Sequence, residues 1–213
     1  IMQALTAAVS AGKQVSVFIE VKARFDEEAN LNWGEKLEKE GVTVHYSFPG
    51  LKVHAKIALV RRQEGETAKL YAYTATGNFH EETARTYSDF GLFTADERLT
   101  KELARIFSYL ETAKLPQQDF HHILVGKFNL REKLEQFIDA EIDAAMRGEE
   151  AQIILKVNSI QDLAMITKLY QASQCGVKIK LIVRGICCLV PGVPGLSQNI
   201  EAISIVDRFL EHA

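Results

Sequence analysis

No apolar run in the 213 residues approaches the roughly 18 needed for a membrane-spanning helix, which excludes an integral membrane segment here. Cysteine is scarce. Cys175, Cys187 and Cys188 cannot all pair within one chain and lack CxxC spacing, so a disulfide scaffold is excluded and reduced, intracellular thiols are expected. There is no basic surplus: 25 Lys and Arg face 28 Asp and Glu, a net charge of −3, against a general nucleic-acid coat. GxxxxGK[ST], GxGxxG and GxSxG are all missing, so a P-loop, a dinucleotide fold and a nucleophile elbow lack support. His45, His80, His121 and His122 have no metal-ligand spacing with any cysteine, and zinc is not expected.

What is present is a globular balance, 47% hydrophobic and 25% charged, enough for one large or two small domains. Helix and strand patterns alternate. Residues 2–11 read as a helix stopped by Gly12, and Val15–Val21 as a strand covered on both faces. Residues 27–40 are amphipathic with Trp33 and Leu37 on one face; short strands are expected over 42–46, 53–60, 70–74 and 87–93. Thr94 to Glu97 has capping-box spacing before a helix carrying Leu99, Leu103, Ile106, Phe107 and Leu110. Residues 115–120 read as a linker. Beyond it, a helix from Asn129 presents Leu130, Leu134, Phe137, Ile138 and Ile142; strands follow at 153–157, 179–183 and 203–206, with a helix opened by Ser159–Asp162 and closed by Gly176. The chain opens on Ile1 and runs into its last residue without a stop signal, so an excised piece of a longer protein is expected.

A repeat emerges at an offset of about 164 residues, with Gly12 on Gly176. It sets Leu5 on Leu169, Val15 on Ile179, Val17 on Leu181 and Ile19 on Val183. Both copies place a basic residue past the strand, Lys22 and Arg24 in one, Arg184 in the other. Two related α/β domains are expected, with ligands at the carboxyl ends of their strands; chance likeness between helix–Gly–strand units stays open.

His54 and Lys56 alternate on the expected strand, so they share a face about 6.5 Å apart. An ammonium beside an imidazole favours its neutral, nucleophilic form. The same pattern also suits the polar face of an edge strand, and both readings stay open. In Thr76-Gly77-Asn78 the glycine lets backbone approach a ligand and Asn78 can donate to an oxyanion or orient an imidazole, or the three form an ordinary turn. Arg24, Arg184 and Tyr87 lie at strand ends, where guanidinium groups match phosphate oxygens. His212, by the repeat, is the second copy's counterpart of His54; its penultimate position predicts a loosely held side chain.

Taken together, the segments KARFDEEAN (22–30), PGLKVHAK (49–56), TGNF (76–79), TARTYSD (83–89), LIVRGIC (181–187) and SIVDRFLEH (204–212) resemble bacterial polyphosphate kinase of the first class over essentially the whole chain. The resemblance implies an α/β fold of two tandem phospholipase D-like α/β/α domains, residues 1–116 and 117–213, the second truncated. It implies reversible transfer of the terminal phosphate of ATP to inorganic polyphosphate through a phosphohistidine. His54 matches the nucleophile; His212 is a second catalytic and ATP-contacting position, with Tyr87 and Arg184 also on ATP and Lys56 and Asn78 near the phosphates. Arg24 matches a position associated with the cofactor Mg²⁺; a guanidinium cannot ligate the ion, so indirect action is expected. Partners implied are ATP, ADP and polyphosphate, in a full-length homo-oligomer that is cytoplasmic or membrane-peripheral; the isolated chain is expected to be inactive. Where the lipase pattern HxKxxxxD wants an acid, this chain has Arg61, which counts against the alternative of a phospholipase D-like phosphodiesterase. A non-catalytic phosphate-binding module is the other alternative.

Overall fold

The computed structural model describes residues 1–21 and 27–213. Lys22 and Arg24 lie outside the described residues. The elements run α1 (Met2–Ser10), β1 (Ser16–Ile19), α2 (Glu27–Lys39), β2 (Thr43–Tyr46), β3 (Lys56–Glu64), β4 (Thr67–Ala75), α3 (Glu81–Thr86) and β5 (Tyr87–Ser88). They continue with β6 (Gly91–Thr94), α4 (Glu97–Thr112), α5 (Leu130–Met146), β7 (Gln152–Val157), α6 (Leu163–Gln174), β8 (Lys178–Val183), β9 (Ile200–Ile203) and β10 (Leu210–Glu211). The fold is mixed α/β, in two compact units: residues 1–75 with 91–119, and residues 76–90 with 120–213.

In the first unit β1 and β2 pair in parallel, and β3, β4 and β6 form an antiparallel sheet. The β3–β4 hairpin turns on Gly65-Glu66, with Gly65 at φ 60°, a conformation that costs glycine little. Helix α4 is capped by the Asp96 carboxylate, which accepts from Arg98 N at 2.9 Å. It buries Leu103, Tyr109 and Leu110, the 3.6-residue period of its apolar positions turning one stripe inward. Tyr109 meets Phe48 edge-on at 5.9 Å.

In the second unit β7, β8 and β9 form a parallel sheet and β5 pairs in parallel with β10. Ile153, Ile179, Leu181, Val183 and Ile200 point from the sheet into a core shared with Ile138, Ile166 and Leu169 of the helices. The same helix-ending pattern closes α1 and α6, as it closes α2 and α5. Gly12 N donates to Val9 O (2.8 Å) and Lys13 N to Ala8 O (3.0 Å); Gly176 N donates to Ser173 O (3.0 Å) and Val177 N to Ala172 O (3.1 Å). This is the Schellman closure that a glycine at positive φ permits.

Several expectations are corrected. The strand expected over 53–60 begins only at Lys56, because its partner ends at Ala75, opposite Lys56; His54 therefore lies just before the sheet. The strand expected over 87–93 is two strands, one paired with β10 and one with β4. The strand expected over 203–206 lies at Ile200–Ile203. The cap of α4 is Asp96, and Thr94 instead accepts the Asp96 N–H at 3.1 Å. Trp33 and Phe137 are 43% and 56% exposed, so neither joins its helix's buried stripe. Among the described residues no helix is long and apolar enough to cross a membrane.

Asp162 caps α6 by accepting from Met165 N (2.9 Å) and takes both ends of the Arg131 guanidinium at 2.9 Å. The Arg131 hydrogen bond, with that of Met165 behind it, holds its carboxyl at about 2, below the ordinary 3.8. A depressed carboxylate stabilises the fold fully above its unfolded value, and the contribution disappears as pH falls through the folded one. The urea midpoint of Asp162→Asn is therefore expected below wild type at pH 7, with the gap closing between pH 3.8 and about 2.

Candidate functional site

The first unit offers a histidine beside a buried cation. Lys56, the first residue of β3, is only 8% exposed. Its Nζ lies 3.0 Å from His54 Nδ1 and 3.1 Å from His54 Nε2. An ammonium so nearly equidistant is aligned with neither in-plane lone pair. It has no acceptor capacity, so a doubly protonated ring would set donor against donor; the contact favours the neutral imidazole. His54 itself is exposed. The segment bearing it is tied to the strand before it: Ser47 N donates to Ile19 O (3.0 Å), Val21 N to Ser47 Oγ (3.1 Å) and Val53 N to Glu20 Oε2 (2.8 Å).

The second unit builds its site around two short strands. Pairing Leu210 with Tyr87 and Glu211 with Ser88 brings His212 beside Asp89. His212 N donates to Ser88 O at 3.1 Å, and its Nδ1 lies 2.7 Å from Asp89 Oδ1. A carboxylate only accepts, so Nδ1 carries the proton and Nε2 keeps its lone pair in the neutral ring. Thr76 Oγ1 donates to the same Asp89 oxygen at 3.0 Å and accepts Phe90 N at 3.0 Å. The Tyr87 ring packs 4.9 Å from the imidazole, tilted by 50°. His212 is thus held at backbone, ring nitrogen and ring face, contrary to the loose terminal side chain expected.

Gly77 is explained by the same carboxylate. A Cβ there would sit 2.6 Å from Asp89 Oδ2 and 2.8 Å from its Cγ.

Arg184 follows β8. Its Nε donates to Asn158 Oδ1 at 2.8 Å, Nη2 reaches the same oxygen, and Nη1 donates to Glu211 O at 2.8 Å. These are neutral acceptors. Three of the group's five N–H donors are used, and no carboxylate among the described residues pairs with it. Beside it Lys156 Nζ meets Glu211 Oε2 at 2.5 Å, while Ser88 Oγ donates to Oε1 at 3.3 Å. The Lys156 hydrogen bond lowers the Glu211 carboxyl below its usual range. Its hold on β10 is therefore complete above the ordinary carboxylate pKa and lost as pH falls through the lowered value. Lys156→Met is expected to move that loss to higher pH, read as an upward shift in the NMR titration of the Glu211 carboxyl carbon.

The fold brings together Tyr87, Arg184 and His212 within the second unit, and His54 with Lys56 in the first. Asn78 is exposed and joins neither cluster by a hydrogen bond. Arg24, the magnesium-associated position, lies outside the described residues. Among the described residues no three His, Cys, Asp or Glu side chains form a metal-holding group, so no ligand set for Mg²⁺ is found there. Sequence reasoning missed Asp89, Asn158, Lys156, Glu211 and Glu20. The signal for Asp89 was its alternation with Tyr87, which predicts a shared side of any strand they enter.

The two halves of the chain find their counterparts among proteins named polyphosphate kinase. Residues 1–116 match the family described as polyphosphate kinase C-terminal domain 1, and residues 123–213 match polyphosphate kinase C-terminal domain 2. The chain belongs to the polyphosphate kinase family. It is 50% identical over 212 residues to a polyphosphate kinase of Vibrio cholerae and 47% identical over 213 residues to one of Synechocystis. Both alignments take in 100% of this chain but only 30% and 29% of those proteins. The crystal structure of polyphosphate kinase from Porphyromonas gingivalis superposes with a TM-score of 0.88 at 46% identity, covering 100% of this chain and 35% of that one.

Proposed function

We propose that the protein takes part in reversible transfer of the terminal phosphate of ATP to inorganic polyphosphate, with His54 as the group that carries the phosphate. The observation that carries this reading is the Lys56 ammonium, 3.0 and 3.1 Å from the two His54 nitrogens, in a chain that matches polyphosphate kinases along its length. A ring nitrogen attacks the γ-phosphorus, an N–P bond forms, and the bond to the β–γ bridging oxygen breaks to release ADP. A terminal polyphosphate oxygen then attacks phosphorus, the N–P bond breaks, and the polymer is one phosphate longer. Two steps of this kind replace one difficult transfer between polyanions. Lys56 disfavours protonation of the nucleophile and offsets charge on the transferring group.

In the second unit Arg184 keeps two donors and an uncompensated charge for phosphate oxygens, which suits its proposed place on ATP. Tyr87 is proposed as a further ATP contact, Asn78 as a donor to phosphate oxygens, and His212, with Nδ1 held by Asp89, as the group that handles a proton or phosphate oxygen during transfer. Magnesium is proposed to arrive as the counter-ion of the nucleotide, with Arg24 acting on phosphate oxygens. Residues 1–116 and 117–213 are proposed as tandem phospholipase D-like domains; a homo-oligomer and a cytoplasmic location are further parts of the proposal for the full-length protein.

The test is incubation of the full-length protein with γ-³²P-ATP. Acid-labile, base-stable label on the peptide bearing His54 is expected. Phosphodiester hydrolysis without such label would support a phosphodiesterase instead, and ATP binding with neither would support a binding module.

A further inference from the structure

We propose that Glu20 is a positioning residue for His54, a role that rests on the phosphohistidine reading above. His54 stands outside any strand, between Val53 and the first ladder residue, Lys56. Downstream it is fixed by the pairing of Lys56 with Ala75. Upstream the turn closes locally, with Leu51 N donating to Phe48 O at 3.2 Å, which does not orient residue 54. The tie immediately upstream is the Glu20 carboxylate, which accepts Val53 N at 2.8 Å. Glu20 is itself anchored: it follows the last residue of β1, its carbonyl accepts Asn30 Nδ2 at 3.1 Å, and Val21 N is held by Ser47 Oγ at 3.1 Å.

The carboxylate thus links the end of a parallel strand to the amide one residue before the nucleophile. A charge-assisted hydrogen bond to backbone is stronger than a neutral one, and a segment pinned on both sides of one side chain presents it in one direction. Without Glu20 the Val53 N–H loses its acceptor, the peptide before His54 is no longer tied to the end of β1, and the aim of the imidazole over the Lys56 ammonium is loosened. Losing that alignment affects the chemical step more than ATP binding, because attack needs the ring nitrogen in line at close range.

The experiment compares wild type, Glu20→Ala, Glu20→Gln and His54→Ala in the full-length protein. Single-turnover phosphoenzyme formation is followed over a range of ATP concentrations. Glu20→Ala is expected to slow formation at saturating ATP by about 10–100-fold with little change in half-saturation. Glu20→Gln, which keeps an acceptor oxygen, is expected to recover most of that loss. An alanine variant at the wild-type rate, or a glutamine variant as slow as alanine, overturns the inference. Labelling that survives in His54→Ala overturns the phosphohistidine reading instead. A second measurement decides the positioning role in that event: the rate of diethyl pyrocarbonate modification at His54, mapped by mass spectrometry. It is expected to rise several-fold in Glu20→Ala and to stay near wild type in Glu20→Gln; no change in either variant would overturn the proposed position.

Discussion

Replacement of His54 by alanine in the full-length protein is expected to abolish both the phosphoenzyme and polymer synthesis. The loss should exceed about 10³-fold, equivalent to roughly 4 kcal/mol of barrier. The reason is that no other group inherits a covalent step: Lys56 is 8% exposed and, as an ammonium, has no lone pair. His54→Gln should do no better, since an amide keeps hydrogen-bonding capacity without nucleophilicity. Both variants should still fold. His54 is exposed and precedes the β3 ladder, so the ladder itself is left intact. Thermal unfolding beside turnover separates the two effects. Near-wild-type turnover in either variant would remove the phosphohistidine from the mechanism.

The parts of this fold that were legible in the sequence are those in which local chemistry and burial agree. The apolar alternation of Ile179, Leu181 and Val183 is a strand signal, and these residues fill the second unit's core. Gly12 and Gly176 stop their helices with the same two hydrogen bonds, a device that needs nothing from the rest of the chain. The illegible parts depend on distant pairing. The strands Tyr87–Ser88 and Leu210–Glu211 have two residues each, too short for any period to register, and the contact they create between Asp89 and His212 spans 123 residues. The boundary at Lys56 was missed for the same reason, because it is set by where β4 ends and not by the apolar character of Val53. Residue types thus drew attention to the histidines and the arginine, whereas the side chains that contact them emerged only with the strand register.

Asp89 is where that register has its largest expected consequence. Its Oδ1 accepts from His212 Nδ1 at 2.7 Å and from Thr76 Oγ1 at 3.0 Å, and the two side chains of the His–Asp pair are only 16% and 20% exposed. In Asp89→Asn an amide faces the ring. Its N–H₂ can donate to Nδ1, which moves the ring proton to Nε2 and removes the lone pair proposed to act in transfer. A wrong tautomer in otherwise intact geometry costs heavily in histidine catalysis, and turnover of the full-length protein is expected to fall by about 10²–10⁴-fold. Gly77→Ala reaches the same point by sterics. Its Cβ would lie 2.6 Å from Asp89 Oδ2, so the carboxylate must swing away from His212. A Cβ there would also lie 3.1 Å from the Asp89 Cβ, so Asp89 shifts as a whole and the cost falls on alignment, about 100-fold in rate for a displacement of about 1 Å. Both variants should melt near the wild-type temperature while turnover collapses. Wild-type turnover in Gly77→Ala would mean that His212 works without the Asp89 contact, and loss of turnover only in parallel with loss of melting temperature would reduce Asp89 to a structural anchor of β10.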